Sequence, residues 1–135
     1  KFDDCNQFCF GKKILLIDDD EALTKVYKSA LEEAGFEFAS ASSGPAGVEK
    51  AMEEKPDLIL LDVMIGKTTG PETIIKLKSD EKLKAIPVIF LTNIEGEQNT
   101  TRFAAEAGAI DYLIKSETSI KELIAKVKKA LGIKE

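Results

Sequence analysis

Residues 14–21 carry the sequence Ile-Leu-Leu-Ile-Asp-Asp-Asp-Glu, in which four apolar residues run directly into four acids. A short, fully apolar run is typical of a strand that is buried on both faces of a parallel sheet. The acids favour the start of a helix, and apolar side chains then recur at helical spacing as far as Gly35. This stretch therefore predicts a strand over Ile14–Ile17 and a helix over Asp20–Ala34, with Val26 on its inward stripe.

The same strand–helix unit repeats to the end of the chain, and glycine or proline residues mark most of its boundaries. Further strands are predicted over Phe36–Ala41, Leu58–Leu61, Val88–Leu91 and Asp111–Ile114. Further helices are predicted over Gly44–Glu54 (with Met52 among its apolar residues), Pro71 to about Lys78, Glu97–Ala107 and Ser119–Leu131. Right-handed crossovers then place helices on both faces of one sheet. The predicted fold class is α/β: a doubly wound five-stranded parallel sheet in the order 2-1-3-4-5 with five helices, which is a flavodoxin-like arrangement.

The size and composition fit one globular domain of 135 residues and 14.7 kDa. Residues 1–11 show no period and are interpreted as an N-terminal extension, and residues 12–135 as the domain. The apolar runs are strand-sized and no leader pattern opens the sequence, so we expect a cytoplasmic domain that does not cross a membrane. The net charge of −5 argues against nucleic-acid binding, because a polyanion would be repelled.

The chain has two cysteines and no histidine. Cys5 and Cys9 cannot complete a tetrahedral zinc site by themselves, and we interpret them as two ordinary thiols of the extension. The absence of histidine excludes a histidine-based catalytic triad and a phosphohistidine formed within this chain.

Four of the predicted strands end in polar residues, at the edge of the sheet where ligands bind in such folds. The first strand leads into Asp18 and Asp19, and the others into Asp62, Thr92 and Lys115. Three neighbouring carboxylates repel one another unless a cation intervenes, and Mg²⁺ suits an open site of oxygen ligands. Helix capping explains the acidic run equally well when it is taken alone. We assign Asp20 and Glu21 to capping, and Asp18 and Asp19 to a metal site.

Asp62 and its neighbours also have two interpretations. Asp62 fits an Asx-turn at the end of a strand, or a carboxylate nucleophile that forms an acyl phosphate. Taken singly, Thr92 fits a strand end and Lys115 a solvated lysine. Together with the acids, however, they match the requirements of phosphoryl transfer, which are positioning and neutralisation of the phosphoryl oxygens.

Four segments together resemble the signature blocks of response-regulator receiver domains, over roughly residues 12–132. They are ILLIDDDEAL, PDLILLDVMIGKTTG, IPVIFLTN and GAIDYLIKS. The resemblance implies that Asp62 is the phosphoacceptor and that Asp19, Asp62 and the backbone carbonyl of Met64 bind Mg²⁺ (or Mn²⁺), with Asp18 acting through water. It also implies that Thr92 and Lys115 bind the phosphate and that Tyr112 changes rotamer on activation.

The resemblance further implies a regulatory domain rather than an enzyme, within a two-component phosphorelay. Its phosphodonor would be a sensor histidine kinase or a histidine phosphotransfer protein. On phosphorylation, the surface formed by the fourth helix, fifth strand and fifth helix would change and would be recognised by an output partner, which the sequence does not identify. The resemblance is also compatible with a homodimer on activation. The alternative is a pseudo-receiver, an interaction module that is never phosphorylated.

Four positions depart from the family pattern. Gly66 and Ser116 stand where proline is frequent, so the sequence leaves open whether the Lys115–Ser116 bond is cis. Met64 and Ile94 are apolar where the family faces the water that attacks the phosphoryl group. The hypothesis that follows is a slowly hydrolysed, long-lived phosphoryl group on Asp62.

Overall fold

The computed structural model describes residues 11–65, 68–92 and 108–133, and for residues 64, 65 and 68–71 it describes the backbone alone. The strands are β1 (Lys13–Ile17), β2 (Glu37–Ala41), β3 (Leu58–Asp62), β4 (Met64–Ile65), β5 (Thr68–Thr69), β6 (Val88–Thr92) and β7 (Asp111–Ile114). The helices within the described ranges are α1 (Glu21–Glu33), α2 (Gly44–Glu54), α3 (Gly70–Ser79) and α4 (Ile120–Ala130).

Five strands form one parallel sheet in the order β2-β1-β3-β6-β7. In order of the chain this is 2-1-3-4-5, so the predicted topology is confirmed. The predicted helix over Glu97–Ala107 lies outside the described residues. The pairing of β4 with β5, a small antiparallel sheet, was not predicted, because two-residue strands leave no periodic signal.

Side chains alternate between the two faces of the sheet and divide the core into two clusters. Ile14, Leu16, Leu60 and Leu91 point to the face that is covered by α1 and α4. Leu15, Ile17, Ile59, Leu61 and Phe90 point to the face that is covered by α2 and α3. All five residues of β3 are buried, which explains why its sequence is continuously apolar as far as Asp62.

Two apolar residues of the predicted helical patterns lie on the surface. Val26 of α1 is 50% exposed and Met52 of α2 is 45% exposed. Each lies at the margin of its apolar stripe, where the spacing of 3.6 residues per turn does not decide between core and solvent. In the described part of the chain, none of the helices combines the length and apolar character that crossing a bilayer requires.

Helix ends fix the loops that flank the carboxyl edge of the sheet. Asp20 is the N-cap of α1, since its side chain accepts a hydrogen bond of 3.0 Å from the amide of Leu23. Ser119 and Glu122 form a reciprocal capping box at the start of α4. The prediction that Asp20 serves as a cap is therefore confirmed, and it separates this acid from the two that precede it.

Candidate functional site

The register of the sheet brings Asp18 and Asp62 together. Ile17 at the end of β1 pairs with Leu61 of β3, so the next residue of each strand lies at the same level. Thr92 ends β6, and Lys115 directly follows β7. These polar residues therefore share the carboxyl edge of adjacent parallel strands.

The carboxylates of Asp18, Asp19 and Asp62 form one cluster, in which one oxygen of each lies within 4.8 Å of the others. Asp18 and Asp62 are only 2% and 4% exposed, whereas Asp19 is exposed. The amide of Asp20 donates a hydrogen bond of 3.0 Å to Asp18 Oδ1, and the Asp18 amide donates one of 3.1 Å to the carbonyl of Ala41. These bonds hold Asp18 rigidly against the sheet, with Asp19 on the solvent side.

Lys115 places its ammonium between the two buried acids. Lys115 Nζ lies 2.6 Å from Asp18 Oδ2 and 3.1 Å from Asp62 Oδ2. Burial by itself would lower the pKa of Lys115, but the hydrogen bonds and charges of Asp18 and Asp62 outweigh it, and the net shift is upward. The lysine is therefore held in its charged form beside the predicted phosphoacceptor.

One ammonium does not neutralise three carboxylates, and the cluster keeps a formal charge of about −2. Asp18 Oδ2 is buried and is paired with Lys115 Nζ, which also lies beside Asp62. Buried carboxylates that outnumber the nearby positive charges are costly unless a further cation intervenes. A hard divalent cation with oxygen ligands fits this donor set, so the acids are suited to Mg²⁺.

Thr92 and Lys115 are coupled through the backbone. The amide of Lys115 donates a hydrogen bond of 2.7 Å to the carbonyl of Thr92. Thr92 is 2% exposed at the end of β6, so both residues lie at the carboxyl edge of the two strands beyond β3. No cis peptide bond occurs in the described ranges, so the Lys115–Ser116 bond is trans.

The comparisons with known proteins agree with this geometry. A family model described as the response regulator receiver domain matches residues 14–128. The chain belongs to the receiver domain family. Receiver domains are regulatory phosphoacceptor modules of two-component signalling rather than classical enzymes, and the acidic pocket of Asp18, Asp19 and Asp62 is consistent with that role.

Individual relatives support the same assignment. The receiver domain is 40% identical over 121 residues to the phosphate regulon transcriptional regulatory protein PhoB of Pseudomonas aeruginosa. The aligned region covers 90% of this chain and 52% of PhoB. The receiver domain is 31% identical over 123 residues to the polar-differentiation response regulator DivK of Brucella ovis, with coverage of 90% and 97%. The BeF3-activated receiver domain of Klebsiella pneumoniae RstA superposes with a TM-score of 0.80 at 26% identity, with coverage of 89% and 98%. The chain spans about half the length of PhoB and of two further transcriptional regulators that it resembles.

Some residues assigned from the resemblance are only partly visible in the structure of the receiver domain. Tyr112 is partly buried, pairs with Phe90 across the sheet and packs against the core on the side of α2 and α3. The backbone of Met64 belongs to β4, directly after the acidic cluster, while its side chain is not described. Gly66 and Ile94, together with Cys5 and Cys9, lie outside the described residues, so the assignments made for them stay predictions.

Tyr27 is a buried ionisable residue that the sequence did not single out. This residue of α1 is 3% exposed, and burial raises the pKa of its phenol, with smaller opposing effects from the charges of Lys115 and Asp18. Its helical spacing indicated a core residue, and Tyr27 packs in the apolar cluster between the sheet and the helices α1 and α4.

A cavity beside the cluster was also missed. It measures about 440 Å³ and lies between the loops that follow β1 and β2. Asp18 and Asp19 line it on one side, and Thr24, Lys25 and Ser42 line it on the other. The hydroxyl and lysine side chains of this cavity belong to no recognisable motif, so only the fold reveals that they lie together.

Proposed function

We propose that this receiver domain accepts a phosphoryl group on Asp62 from a phosphohistidine of a partner protein, either a sensor histidine kinase or a histidine phosphotransfer protein. The observation that carries the proposal is the position of Asp62 in the acidic cluster, with Lys115 Nζ 3.1 Å from its carboxylate. A strand-end carboxylate that is buried, and beside both a fixed cation and further acids, has the surroundings that acyl phosphate formation needs.

In the proposed step, an oxygen of the Asp62 carboxylate attacks phosphorus in line. The bond between phosphorus and the imidazole nitrogen breaks, and its electron pair stays on that nitrogen. The partner's imidazole leaves in neutral form because its other ring nitrogen already carries a proton. Lys115 offsets the charge on one phosphoryl oxygen, and the Thr92 hydroxyl binds another. No further covalent chemistry is needed from the receiver domain.

We assign a divalent-cation site to the same cluster, with Asp19, Asp62 and the backbone carbonyl of Met64 as ligands and Asp18 acting through water. When it is bound, Mg²⁺ or Mn²⁺ supplies charge neutralisation for the phosphoryl oxygens. The cluster of Asp18, Asp19 and Asp62 supports the assignment, since its three carboxylates exceed the single positive charge that Lys115 supplies.

Phosphorylation adds charge and acceptor oxygens beside Thr92. In the proposed response, Thr92 turns toward the phosphate and Tyr112 occupies the space that it leaves, which shifts the population between two packings of the domain. The surface that would change consists of the predicted helix Glu97–Ala107, β7 and α4. An output partner or a second copy of the domain would read this surface, and the cytoplasmic location also stays a prediction.

Intact-mass measurement tests the proposal directly. Incubation with acetyl phosphate or phosphoramidate in the presence of Mg²⁺ should add about 80 Da, the mass of one phosphoryl group. The Asp62→Asn variant, which keeps the shape of the side chain, should not gain this mass, and neither should the native chain in EDTA. An unmodified native chain under all conditions would favour the pseudo-receiver, in which the acid–lysine cluster serves only the stability of the fold.

A further inference from the structure

A groove lies at the end of the sheet opposite the acidic cluster. Pro56 and Ile86 are located just before β3 and β6, which places the groove at the amino ends of these strands. Its volume is about 330 Å³, near the lower end of the range of ligand pockets (about 300–1,000 Å³). The groove is lined by Met52, Lys55, Pro56, Lys82, Leu83 and Ile86.

The floor of this groove is apolar. Pro56 is buried, Leu83 is 2% exposed and Ile86 is partly buried. Met52 stands at its edge with 45% of its surface exposed, although it lies on the same helix as the core residue Ala51. The groove therefore offers both a base and one wall for an apolar side chain.

The rim of the groove is cationic. Neither Lys55 nor Lys82 forms an ion pair with any residue in the described ranges. The acids beside them are already paired, since Lys13 Nζ lies 2.5 Å from Glu54 and Lys84 Nζ lies 3.2 Å from Glu81. A segment that combines apolar and acidic side chains would match this groove in both respects.

The chain itself supplies such a segment next to the groove. The amide of Lys13 donates a hydrogen bond of 2.8 Å to Asp57 Oδ2, and the Asp57 amide donates one of 2.8 Å to the carbonyl of Lys13. The start of β1 is therefore attached to the residue that follows Pro56. Residues 1–10 precede this point, and ten extended residues reach about 33 Å, which is enough to cross the groove.

Residues 1–10 have the composition that the groove requires. They hold three of the seven phenylalanines of the chain, at positions 2, 8 and 10, together with Asp3, Asp4 and Lys1, so acidic residues exceed basic ones by one. We infer that this segment docks in the groove of its own chain, with phenylalanine rings on the apolar floor and the acids toward Lys55 and Lys82. The inference is independent of the phosphoacceptor role, because the groove lies at the other end of the sheet.

The chain provides its own probes for the test. Met52 and Met64 are the only methionines, one at the groove and one beside the acidic cluster, and Cys5 and Cys9 are the only cysteines. A nitroxide attached to Cys9 in a Cys5→Ser background should broaden the ¹³C-methyl resonance of Met52 much more than that of Met64. A segment that does not dock would broaden Met52 only through its tether at residue 11.

Two sets of variants separate docking from the effect of the tether. The charge reversal Lys55→Glu with Lys82→Glu should relieve the broadening of Met52, and so should Phe8→Ser with Phe10→Ser. The matched reversal Lys25→Glu with Lys50→Glu, at the cavity on the opposite edge, should leave it unchanged. The phenylalanine variants keep the test valid if a charge reversal impairs folding, because they alter none of the described residues. Equal broadening of Met52 in all of these proteins would overturn the inference.

A mixing experiment identifies the chain to which the segment binds. Spin-labelled protein without isotope is mixed with ¹³C-methionine protein that carries Cys5→Ser and Cys9→Ser. Unchanged resonances in the mixture support docking within one chain. Broadening of Met52 in the mixture would show exchange of the segment between two copies, which contradicts docking within one chain.

Discussion

Replacement of Lys115 by methionine removes the ammonium from the acidic cluster while keeping an unbranched side chain of similar length. At an effective dielectric constant of about 20, attractions over 2.6 Å and 3.1 Å amount to roughly 6 and 5 kcal/mol before desolvation is subtracted. The side chain of Lys115 is 10% exposed and those of Asp18 and Asp62 are 0% and 6% exposed, so the pairs count as buried. Loss of one partner of a buried pair typically costs about 3–5 kcal/mol net.

Thermal unfolding in EDTA measures this cost. For a domain of 135 residues, a loss of 3–5 kcal/mol corresponds to a Tm that is lower by roughly 10–17 °C. Addition of Mg²⁺ should restore more stability to Lys115→Met than to the native chain, because a ligand that binds only the folded state stabilises it and the lysine no longer competes for Asp18.

Lys126→Met is the matched control for this prediction. Lys126 Nζ also lies 3.0 Å from a carboxylate, that of Asp111, but the two side chains are 41% and 35% exposed. An exposed pair of this kind contributes about 0.2–1 kcal/mol. A Lys115→Met variant that loses no more stability than Lys126→Met would refute the view that the ammonium neutralises the cluster.

Further substitutions test other parts of the description. Gly47→Ala should destabilise the domain by about 1–3 kcal/mol in urea unfolding, because its Cβ would lie 2.5–2.9 Å from side-chain carbons of Ile17, and Ile17→Val should recover part of the loss. Ser119→Ala removes the cap of α4 and should cost about 1 kcal/mol in the same assay; no change would mean that the capping box does not stabilise the helix. Burial raises the pKa of Tyr27 above its ordinary value of 10.0, so the neutral phenol stabilises the fold fully below that pH, and this contribution is lost as the pH rises through the raised pKa. Tyr27→Phe should therefore lose less stability than the native chain in unfolding experiments above pH 10, and an identical loss would show that the phenol titrates normally. The phosphoryl group on Asp62 should persist for minutes or longer after the phosphodonor is removed, as followed by intact mass, and loss within seconds would contradict the hypothesis of slow hydrolysis.

The sequence predicted the strands and most site residues because two strong signals coincide, namely fully apolar runs and the polar residues directly after them. Short, fully apolar runs such as Leu58–Leu61 are typical of strands in a sheet that is covered on both faces. Once parallel strands are assigned, the residue that follows each run must lie at the carboxyl edge. The proximity of Asp18, Asp62, Thr92 and Lys115 follows from topology, without knowledge of any side-chain conformation.

The remainder depends on packing that no local pattern encodes. The distance between Lys115 and Asp18 is set by a flexible four-carbon side chain, and the sequence offered no reason to pair that lysine with the first acid rather than with Asp62. The surface positions of Val26 and Met52 depend on how far each helix is rotated about its axis. Tyr27 carries a polar atom into a stripe of apolar residues, and the burial that raises its pKa becomes visible only when α1 is placed on the sheet.

The hydrogen bond between the Lys115 amide and the Thr92 carbonyl has a consequence for how sequence can vary around the site. Because this hydrogen bond attaches the backbone of Lys115 to β6, the position of the lysine relative to the sheet is set before the chain enters the loop at Ser116. Insertions or exchanges in that loop should then leave the reach of the ammonium unaltered. Grafting a foreign loop after Lys115 is thus a practical way to retune recognition by other proteins while sparing phosphoryl chemistry.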